Sequence, residues 1–413
     1  MKRRVVITGL GTLTCVGHGR RGLWDGILRE RSGIGSLSRF DPTDFGAKCA
    51  GEINDFVAED HFPPHRLKRL DRYAQFALVL AKQAFDDAGL EFTPEKPRRD
   101  VGVSFGTSLA GIATGEKAHE RFLGAESRAI PPALALQVFG GSAHANIALA
   151  HGLRGYATTN SNSCASGTVA IGEAFRIIAE GRAEVMTAGA VEVPLAPLTF
   201  GAFDKMKWLS REKSDPQRVC RPFDSARSGF VMAEGGGSAV LETLEHARDR
   251  GARIYAEVLG YTLNNDAFHM SSSLRQGHSA IEAMRSSIAQ AGLKPSQIDY
   301  INAHATGSSK NDGTEAKAIR KLFGKKTPAI SSTKAYYGHP FAASGAIEAV
   351  ISCLALEHGH IPPTLNCEEP CEEITAGFDL VRLKGRKQQL RYVLSNSFGF
   401  GGINASLVLG KVD

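Results

Sequence analysis

Two segments of this chain predict helices that are apolar around almost their whole circumference, and both begin in the same way. Residues 164–181 read CASGTVAIGEAFRIIAEG, and residues 342–359 read AASGAIEAVISCLALEHG. Each has Ala-Ser-Gly near its start and ends in a glycine 14 residues after the glycine of that motif. A helix without a polar face must lie inside a protein, because either side would otherwise expose apolar surface to water. The two segments therefore predict a duplicated architecture with buried helices at its centre.

Short β-branched runs alternate with helical patterns along the rest of the chain. Strand candidates are RVVITG, DVGVSFG, EVMTAGA, GSAVLETL, YAEVLGYTL, YINAHATG, AISSTK, YVLSNSF and ASLVLG, and clear helix candidates span residues 66–90 and 277–293. This order predicts an α/β protein with layered sheets and covering helices. Because no linker rich in Pro, Gly or Ser interrupts the pattern, we expect two halves packed together, residues 1–252 and 253–413.

Composition excludes several classes of protein. The 413 residues carry a net charge of only +6, and no long Lys/Arg block indicates nucleic-acid binding. The seven cysteines show neither an even disulfide framework nor a zinc-binding spacing, which favours a reducing, cytoplasmic location and no metal. Glycines interrupt the apolar N-terminal run early, so RVVITG is interpreted as a strand rather than as a signal peptide. The sequence contains no uninterrupted apolar stretch of about 18 residues, so we expect no membrane span.

Cys164 lies in the segment SNSCASG, directly before the first apolar helix. A helix N-terminus favours a thiolate through its unpaired N–H groups and its dipole, and the small neighbours allow a substrate to approach. The competing interpretation is that Cys164 only packs, as buried free cysteines commonly do. This segment taken alone leaves both interpretations open.

Further candidate residues follow predicted strands elsewhere in the chain. His304 follows one strand, and Lys334 and His339 follow the next, at the strand ends where α/β proteins collect ligand sites. The glycine-rich loop NSFGFGGINAS, which contains Phe400, is only a weak match to a nucleotide-binding loop, because it is not GxGxxG at the start of a helix, and a backbone amide directed at an oxyanion fits it equally well. A cysteine with two histidines suggests a thiolate that takes an acyl group and two imidazoles that stabilise an enolate.

Four segments resemble, in order and spacing, the signatures of elongating β-ketoacyl-acyl-carrier-protein synthases of type II. They are NSCASG, NAHATGS, STKAYYGHPFAASGA and NSFGFGG; RVVITGLG, RPFDSARSGFVMAEGGG and NNDAFHM extend the resemblance over essentially the whole chain. The resemblance implies a duplicated thiolase fold of five layers, α-β-α-β-α, with two mixed sheets. It also implies a homodimer, acyl carrier protein as partner, and no cofactor besides the phosphopantetheine that the carrier brings.

The resemblance further implies a decarboxylative Claisen condensation. Cys164 would accept the acyl chain, while His304 and His339 would hold the malonyl thioester carbonyl. The backbone amides of Cys164 and Phe400 would form an oxyanion hole, and Phe400 would also gate the acyl chain. Lys334 would hold the site together by pairing with Glu315, the acidic residue that follows NAHATGSSKNDGT.

Substrate contacts are implied at positions that match the family. They are Thr306 and Ser308 for the pantetheine arm, Leu109 and Phe203 for the acyl pocket, and Lys68, Arg69, Arg128 and Lys207 for a basic rim that meets acidic carrier protein. Plain core packing is the alternative for the two apolar residues, and a solvated surface charge is the alternative for the four basic ones.

The sequence departs from the family pattern near the catalytic residues, at Asn162, Ser163, Ala305, Tyr336 and Tyr337. These side chains re-line the predicted site without removing a catalytic group. They leave open the preferred chain length, and a ketosynthase of a dedicated polyketide, polyene or specialised-lipid pathway would keep the same catalytic set. A non-catalytic chain-length-determining subunit is disfavoured, because such subunits lack the nucleophile.

Overall fold

The computed structural model of the chain describes residues 3–125, 128, 130–272 and 276–412. The strands are β1 (Val5–Thr14), β2 (Gly17–His18), β3 (Gly35–Ser36), β4 (Cys49–Ala50), β5 (Val101–Gly106), β6 (Ala157–Asn160), β7 (Val185–Glu192), β8 (Gly235–Thr243), β9 (Ala256–Asn265), β10 (Tyr300–Asn302), β11 (Ala329–Ser331), β12 (His360–Ile361), β13 (Asp379–Leu380), β14 (Arg386–Lys387), β15 (Tyr392–Gly399) and β16 (Ile403–Gly410).

The helices are α1 (Gly19–Leu28), α2 (Pro64–Leu67), α3 (Arg72–Ala88), α4 (Ile112–Ala125), α5 (Leu134–Gln137), α6 (Ser142–His151), α7 (Ser166–Ala179), α8 (Pro197–Lys205), α9 (Leu244–Asp249), α10 (His278–Gln290), α11 (Asn311–Phe323), α12 (Lys334–Tyr337) and α13 (Ser344–His358). The single helix predicted over residues 66–90 is divided into α2 and α3. Asp71 causes the division, because its carboxylate accepts from the Ala74 amide and starts α3 anew.

The two halves of the chain build sheets with the same strand order. The first half runs β6-β5-β7-β8-β1, and the second runs β11-β10-β15-β16-β9, with β13 added at its outer edge. In both halves the first three strands pair in parallel and the last three pair antiparallel. The duplicated mixed α/β fold is therefore confirmed. The two sheets also join into one path, because β1 pairs briefly with β9 through Val6 and Ile7.

Helices cover both sheets and separate them. Strand β7 shows the layering, because Met186, Ala188 and Ala190 face one apolar cluster that contains α7 and α13. Val185 and Val191, at the opposite parity of the same strand, face another cluster that contains α3 and α6. Helix α10 contacts β9 and β16 in the second sheet. The order of layers is thus α3/α6, first sheet, α7/α13, second sheet, α10/α11.

One helical stretch, Phe341–His358, is long and apolar enough to cross a membrane by length and composition, with a mean hydropathy of 1.3. Burial in the protein core explains this apolar composition, because 89% of the stretch is buried inside the protein. It contains α13, one of the two central helices, which must be apolar on all sides because protein surrounds it.

The repeat extends to a strained turn before each central helix. Ser163 has φ +52° and Phe341 has φ +37°, and these two residues occupy equivalent positions in the two copies. Each begins a short 3-10 turn that leads directly into α7 or α13. A left-handed backbone costs roughly 1–2 kcal/mol for a residue with a Cβ. The fold therefore keeps the turn in both halves, although only the first half carries a cysteine there.

The two central helices approach each other through glycines. A Cβ added to Gly167 of α7 would lie 2.5 Å from the backbone nitrogen of Ala346 in α13, which is far inside van der Waals contact. A Cβ added to Gly345 of α13 would lie 2.9 Å from the backbone nitrogen of Thr168 in α7, and closer still to the Thr168 hydroxyl. Because side chains are absent at these points, the helix backbones pack directly on each other.

We expect the substitution Gly167→Ala to destabilise the protein by about 1–3 kcal/mol, because the added methyl group forces two packed backbones apart. Urea unfolding at fixed protein concentration measures this loss. Gly124→Ala is the matched control, since Gly124 lies in α4 with open space around its Cα and should gain about 0.5–1 kcal/mol. Equal effects of the two substitutions would contradict the close packing of the central helices.

Candidate active site

Residues from both halves meet at the ends of the strands that precede them. Cys164 follows β6, His304 follows β10, and Lys334 and His339 follow β11. Phe400 lies in the turn between β15 and β16, where Gly401 and Gly402 follow it with φ +81° and +72°. One cavity is lined by Cys164, His304, Thr306, His339 and Phe400, together with Trp208, Phe230, Ser271, Ser272, Asn311, Phe398, Gly399 and Gly402.

The cysteine and the two histidines form a compact group. The Sγ atom of Cys164 lies 3.1 Å from Nε2 of His339, and Cys164 is only 4% exposed. The rings of His304 and His339 lie edge to face, with centroids 5.5 Å apart. Burial, and then the nearby Lys334 charge, hold the pKa of both imidazoles well below its usual value. Both rings are therefore neutral at pH 7 and can act as hydrogen-bond donors.

The thiol of Cys164 differs from the sequence-based expectation of a helix-stabilised thiolate. Burial raises its pKa to about 11, and this effect exceeds the lowering by the Ser163 hydroxyl, by the Lys334 charge and by the Phe400 backbone N–H. Cys164 also does not begin the helix, because α7 starts at Ser166 and Cys164 occupies the 3-10 segment before it. In the resting protein Cys164 is a thiol.

Lys334 pairs with a carboxylate other than the one expected. Its ammonium group contacts Glu348 of α13, and both side chains are fully buried. Glu315 instead accepts from the backbone N–H of His304 at 3.0 Å and from the Asn396 amide at 3.2 Å, so it supports the His304 loop. The predicted Lys334–Glu315 ion pair is therefore wrong. The sequence held a signal for the true partner, since Glu348 is the one charged residue in the apolar run 344–356.

Asp312 is a supporting residue that the sequence analysis missed. Its buried carboxylate accepts from the backbone N–H groups of Thr306, Gly307 and Ser308 and from that of Phe223, which fixes the loop after His304. Thr306 lines the cavity. The Ser308 hydroxyl lies at the start of α11, where it accepts from the Asn311 backbone N–H at 3.2 Å.

An apolar cluster surrounds Cys164, and its members Phe230 and Phe341 also contact the His339 ring, with ring centroids 5.2 and 5.3 Å apart. Leu109 and Phe203 pack against this cluster, whose buried members include Phe200, Phe230 and Phe341. Phe203 also stacks on Phe400, with ring centroids 6.1 Å apart. Both residues predicted to wall an acyl pocket therefore belong to the apolar surroundings of the thiol.

The four basic residues predicted to form a rim are all exposed. Lys207 directly precedes Trp208, which lines the cavity. Lys68 instead lines a separate groove beside α4 and α8, with Arg69 next to it in sequence. Within this chain, the structure therefore places only Lys207 next to a residue of the catalytic cavity.

The residues that depart from the family pattern lie mostly behind the cavity. Tyr336 and Tyr337 are buried in the central core cluster, where the Tyr337 hydroxyl lies 3.0 Å from the Thr333 hydroxyl. Asn162 donates to the Asn160 side chain at 3.1 Å, and Ala305 is buried. In the described parts of the chain, no group of three or more His, Cys, Asp or Glu side chains could hold a metal ion.

We expect Lys334→Met and Glu348→Gln each to destabilise the protein by roughly 3–5 kcal/mol, because each leaves a buried charge without its partner. The double variant should lose clearly less than the sum of the two single losses. Urea unfolding of the wild type, the two single variants and the double variant gives the four free energies of unfolding that a double-mutant cycle requires. Strict additivity would show that the two charges do not interact.

The reactivity of Cys164 should depend steeply on pH. Because its pKa is raised to about 11 by burial, the thiolate fraction should grow about tenfold per pH unit from pH 7 upward. Peptide mass spectrometry after timed iodoacetamide treatment follows Cys164 separately from the other cysteines. A labelling rate that is already constant at pH 8 would mean that the thiol is not suppressed by burial.

Comparison with known proteins agrees with this geometry. The family "Beta-ketoacyl synthase, N-terminal domain" matches residues 2–247, and "Beta-ketoacyl synthase, C-terminal domain" matches residues 255–368. The 3-oxoacyl-acyl-carrier-protein synthase 2 of Coxiella burnetii is 38% identical over 413 residues, and that of Vibrio harveyi is 37% identical over 414 residues; this chain is covered fully and each relative to 99%.

A similar solved structure is a type II PKS acyl-carrier protein in complex with its ketosynthase bound to the hexaketide. The match has a TM-score of 0.92 and 32% sequence identity, and it covers 100% of both chains. The sequence matches span nearly the whole length of the chain, and the structural match extends over both sheets. The chain belongs to the β-ketoacyl synthase family.

Proposed function

We propose that this protein elongates acyl chains by decarboxylative Claisen condensation. It joins an acyl group held on Cys164 to a malonyl group on acyl carrier protein, and the product is a β-ketoacyl-acyl-carrier protein two carbons longer. The observation that carries the proposal is one cavity in which the Cys164 thiol lies 3.1 Å from His339 and beside a second neutral imidazole, that of His304. Relatives named 3-oxoacyl-acyl-carrier-protein synthase 2 support this choice of substrates.

The first step loads the acyl chain. The sulfur of Cys164 attacks the thioester carbonyl of the acyl carrier, and the leaving phosphopantetheine thiolate takes up the proton that Cys164 gives up. The backbone N–H groups of Cys164 and Phe400 stabilise the oxyanion that forms, since the Phe400 N–H already lowers the pKa of this thiol in the resting protein. The enzyme needs no cofactor of its own, because the phosphopantetheine arm belongs to the carrier.

The second step makes the carbon nucleophile. His304 and His339 donate N–H bonds to the thioester carbonyl of the malonyl group. The bond to its carboxylate breaks, carbon dioxide leaves, and the electron pair enters an enolate that these bonds stabilise. The enolate carbon then attacks the acyl-Cys164 carbonyl, the carbon–sulfur bond breaks, and the released Cys164 thiolate takes up a proton from solvent water.

Lys334 keeps the two imidazoles in the form that this step requires. Burial is the larger cause of the lowered pKa of His304 and His339, and the Lys334 charge beside Glu348 lowers the pKa of both further and so opposes their protonation. The same charge lowers the pKa of the Cys164 thiol and favours the thiolate as a leaving group. Lys334 acts here as a positioning residue through its field.

The partners follow from the same reaction. The carrier protein is acidic, and it docks on a basic rim to which Lys207 and the other exposed basic residues, Lys68, Arg69 and Arg128, contribute. A homodimer is supported by large apolar side chains left exposed on one set of helices and loops, namely Leu123, Leu136, Phe139, Leu149 and Leu198. The reaction uses soluble carriers and takes place in the cytoplasm.

A second candidate is the same chemistry in a dedicated polyketide, polyene or specialised-lipid pathway. The observation that favours it is the 32% identity to a ketosynthase described as bound to a hexaketide. A panel of acyl chains separates the two candidates. Preference for saturated chains of ordinary fatty-acid length supports elongation, whereas preference for polyketide or polyene thioesters supports the dedicated pathway.

The proposed roles predict that substitution of Cys164 abolishes acylation, whereas substitution of either histidine impairs decarboxylation. Cys164→Ala should lose acylation and condensation by about 10³-fold or more, because no nucleophile remains. His304→Ala and His339→Ala should still acquire the acyl group, while malonyl decarboxylation falls by roughly 10²–10³-fold. Mass spectrometry of the enzyme and of both carriers measures each step.

His358→Ala is the matched control for the histidine variants, because His358 lies at the opposite end of α13 and should leave both steps unchanged. Acyl label retained on the Cys164→Ala protein would contradict the nucleophile assignment. Unimpaired decarboxylation by both active-site histidine variants would contradict the enolate-stabilising role.

A further inference from the structure

The His339 ring has a partner on each of its two nitrogens. Its Nε2 atom faces the Cys164 sulfur at 3.1 Å, and its Nδ1 atom lies 2.9 Å from the Ser344 hydroxyl oxygen. All three side chains are buried, so water does not compete for these contacts. A neutral imidazole carries one proton, and the partner of one nitrogen determines whether the other nitrogen donates or accepts.

The duplicated fold contains an internal comparison for Ser344. Ser166 occupies the equivalent position, as the first residue of α7, and its hydroxyl donates to the Ser163 carbonyl at 2.7 Å. That bond closes the local turn. Ser344 is likewise the first residue of α13, but its hydroxyl contacts the His339 ring. A serine at the same position of the repeat therefore hydrogen-bonds to the backbone of the turn in one copy and to the histidine ring in the other.

The direction of the Ser344 bond follows from its surroundings. A buried hydroxyl must place its proton on an acceptor, because an unpaired donor inside a protein costs about 1–3 kcal/mol. Within the part of the chain that the structure describes, this hydroxyl forms its hydrogen bond with His339 Nδ1. The N-terminus of α13 offers backbone N–H groups, which are donors. Nδ1 is therefore the acceptor, and the ring proton lies on Nε2.

We propose that Ser344 is a positioning residue that donates its hydroxyl proton to Nδ1 of His339 and so holds the ring in the tautomer with the proton on Nε2. In that tautomer the N–H group points into the cavity beside Cys164, where it can donate to the malonyl thioester carbonyl. Without the hydroxyl, the ring is free to carry its proton on Nδ1, and Nε2 then presents a lone pair that repels the developing enolate. This inference rests on the proposed function of the site and goes beyond it by assigning the residue that sets the donor.

The tautomer can be observed without any assay of activity. Protein labelled with nitrogen-15 in its histidine rings gives separate imidazole signals in long-range proton–nitrogen spectra, and His339→Ala identifies the signal of this ring. The expected result is that the wild-type ring carries its proton on Nε2 and that Ser344→Ala loses this exclusive state. A wild-type His339 ring that is protonated on Nδ1 would overturn the proposal, whether or not any variant folds.

The kinetic test separates the two half-reactions. Ser344→Ala should retain acylation of Cys164 within about twofold, while decarboxylation of malonyl carrier protein falls by roughly 10- to 100-fold, as for other hydrogen-bond partners that orient a functional imidazole. Ser344→Thr keeps the hydroxyl and should restore most of the lost rate. Ser352→Ala is the matched control, because Ser352 is buried on the same helix and its hydroxyl donates to the Glu348 carbonyl.

These experiments distinguish failure of the Ser344 proposal from failure of the proposed condensation activity. If the wild-type protein neither acylates nor condenses, the proposed function is wrong, and the spectra alone then decide the tautomer. If the wild type condenses and Ser344→Ala decarboxylates at the wild-type rate, the positioning role is wrong. Equal losses of the decarboxylation rate in Ser344→Ala and Ser352→Ala would likewise show that Ser344 only packs and does not position His339.

Discussion

The close packing of α7 on α13 is the contact on which the whole site depends. Gly167 and Gly345 leave no room for a Cβ, so the two helices meet backbone to backbone. Each helix starts directly after its strained turn, and their contact therefore brings the two turns together. The first turn carries Cys164, and the second follows His339. The Cys164 sulfur from one half of the chain thus lies 3.1 Å from the His339 ring of the other half.

Burial then determines the charge state of the site. The thiol of Cys164 and the rings of His304 and His339 are neutral in the resting protein, because desolvation disfavours their ionised forms. Lys334 and Glu348 are buried as well; burial raises the pKa of Glu348 to about 7, and the Lys334 charge beside it opposes this rise. In the proposed reaction, charge therefore develops at Cys164 and on the substrate only during catalysis.

Local sequence accounts for the parts of the site that depend on one strand or one turn. The positions of Cys164, His304 and His339 after strands followed from short motifs, and the duplicated fold followed from the two similar apolar helices. Features that depend on packing between distant segments did not follow. The partner of Lys334 lies on α13 rather than on α11, and the pKa of Cys164 reflects the depth of burial, which no motif records. The joining of the two sheets is equally a tertiary property.

The most direct measurement of the central claim is a crystal structure of the enzyme acylated on Cys164 and bound to a stable malonyl-thioester analogue on the pantetheine arm. We expect the analogue's carbonyl oxygen to accept from the Nε2 atoms of both His304 and His339 at about 2.7–3.2 Å, while the acyl carbonyl faces the amides of Cys164 and Phe400. Histidines bound instead to the analogue's carboxylate, or a carbonyl that faces neither ring, would contradict it.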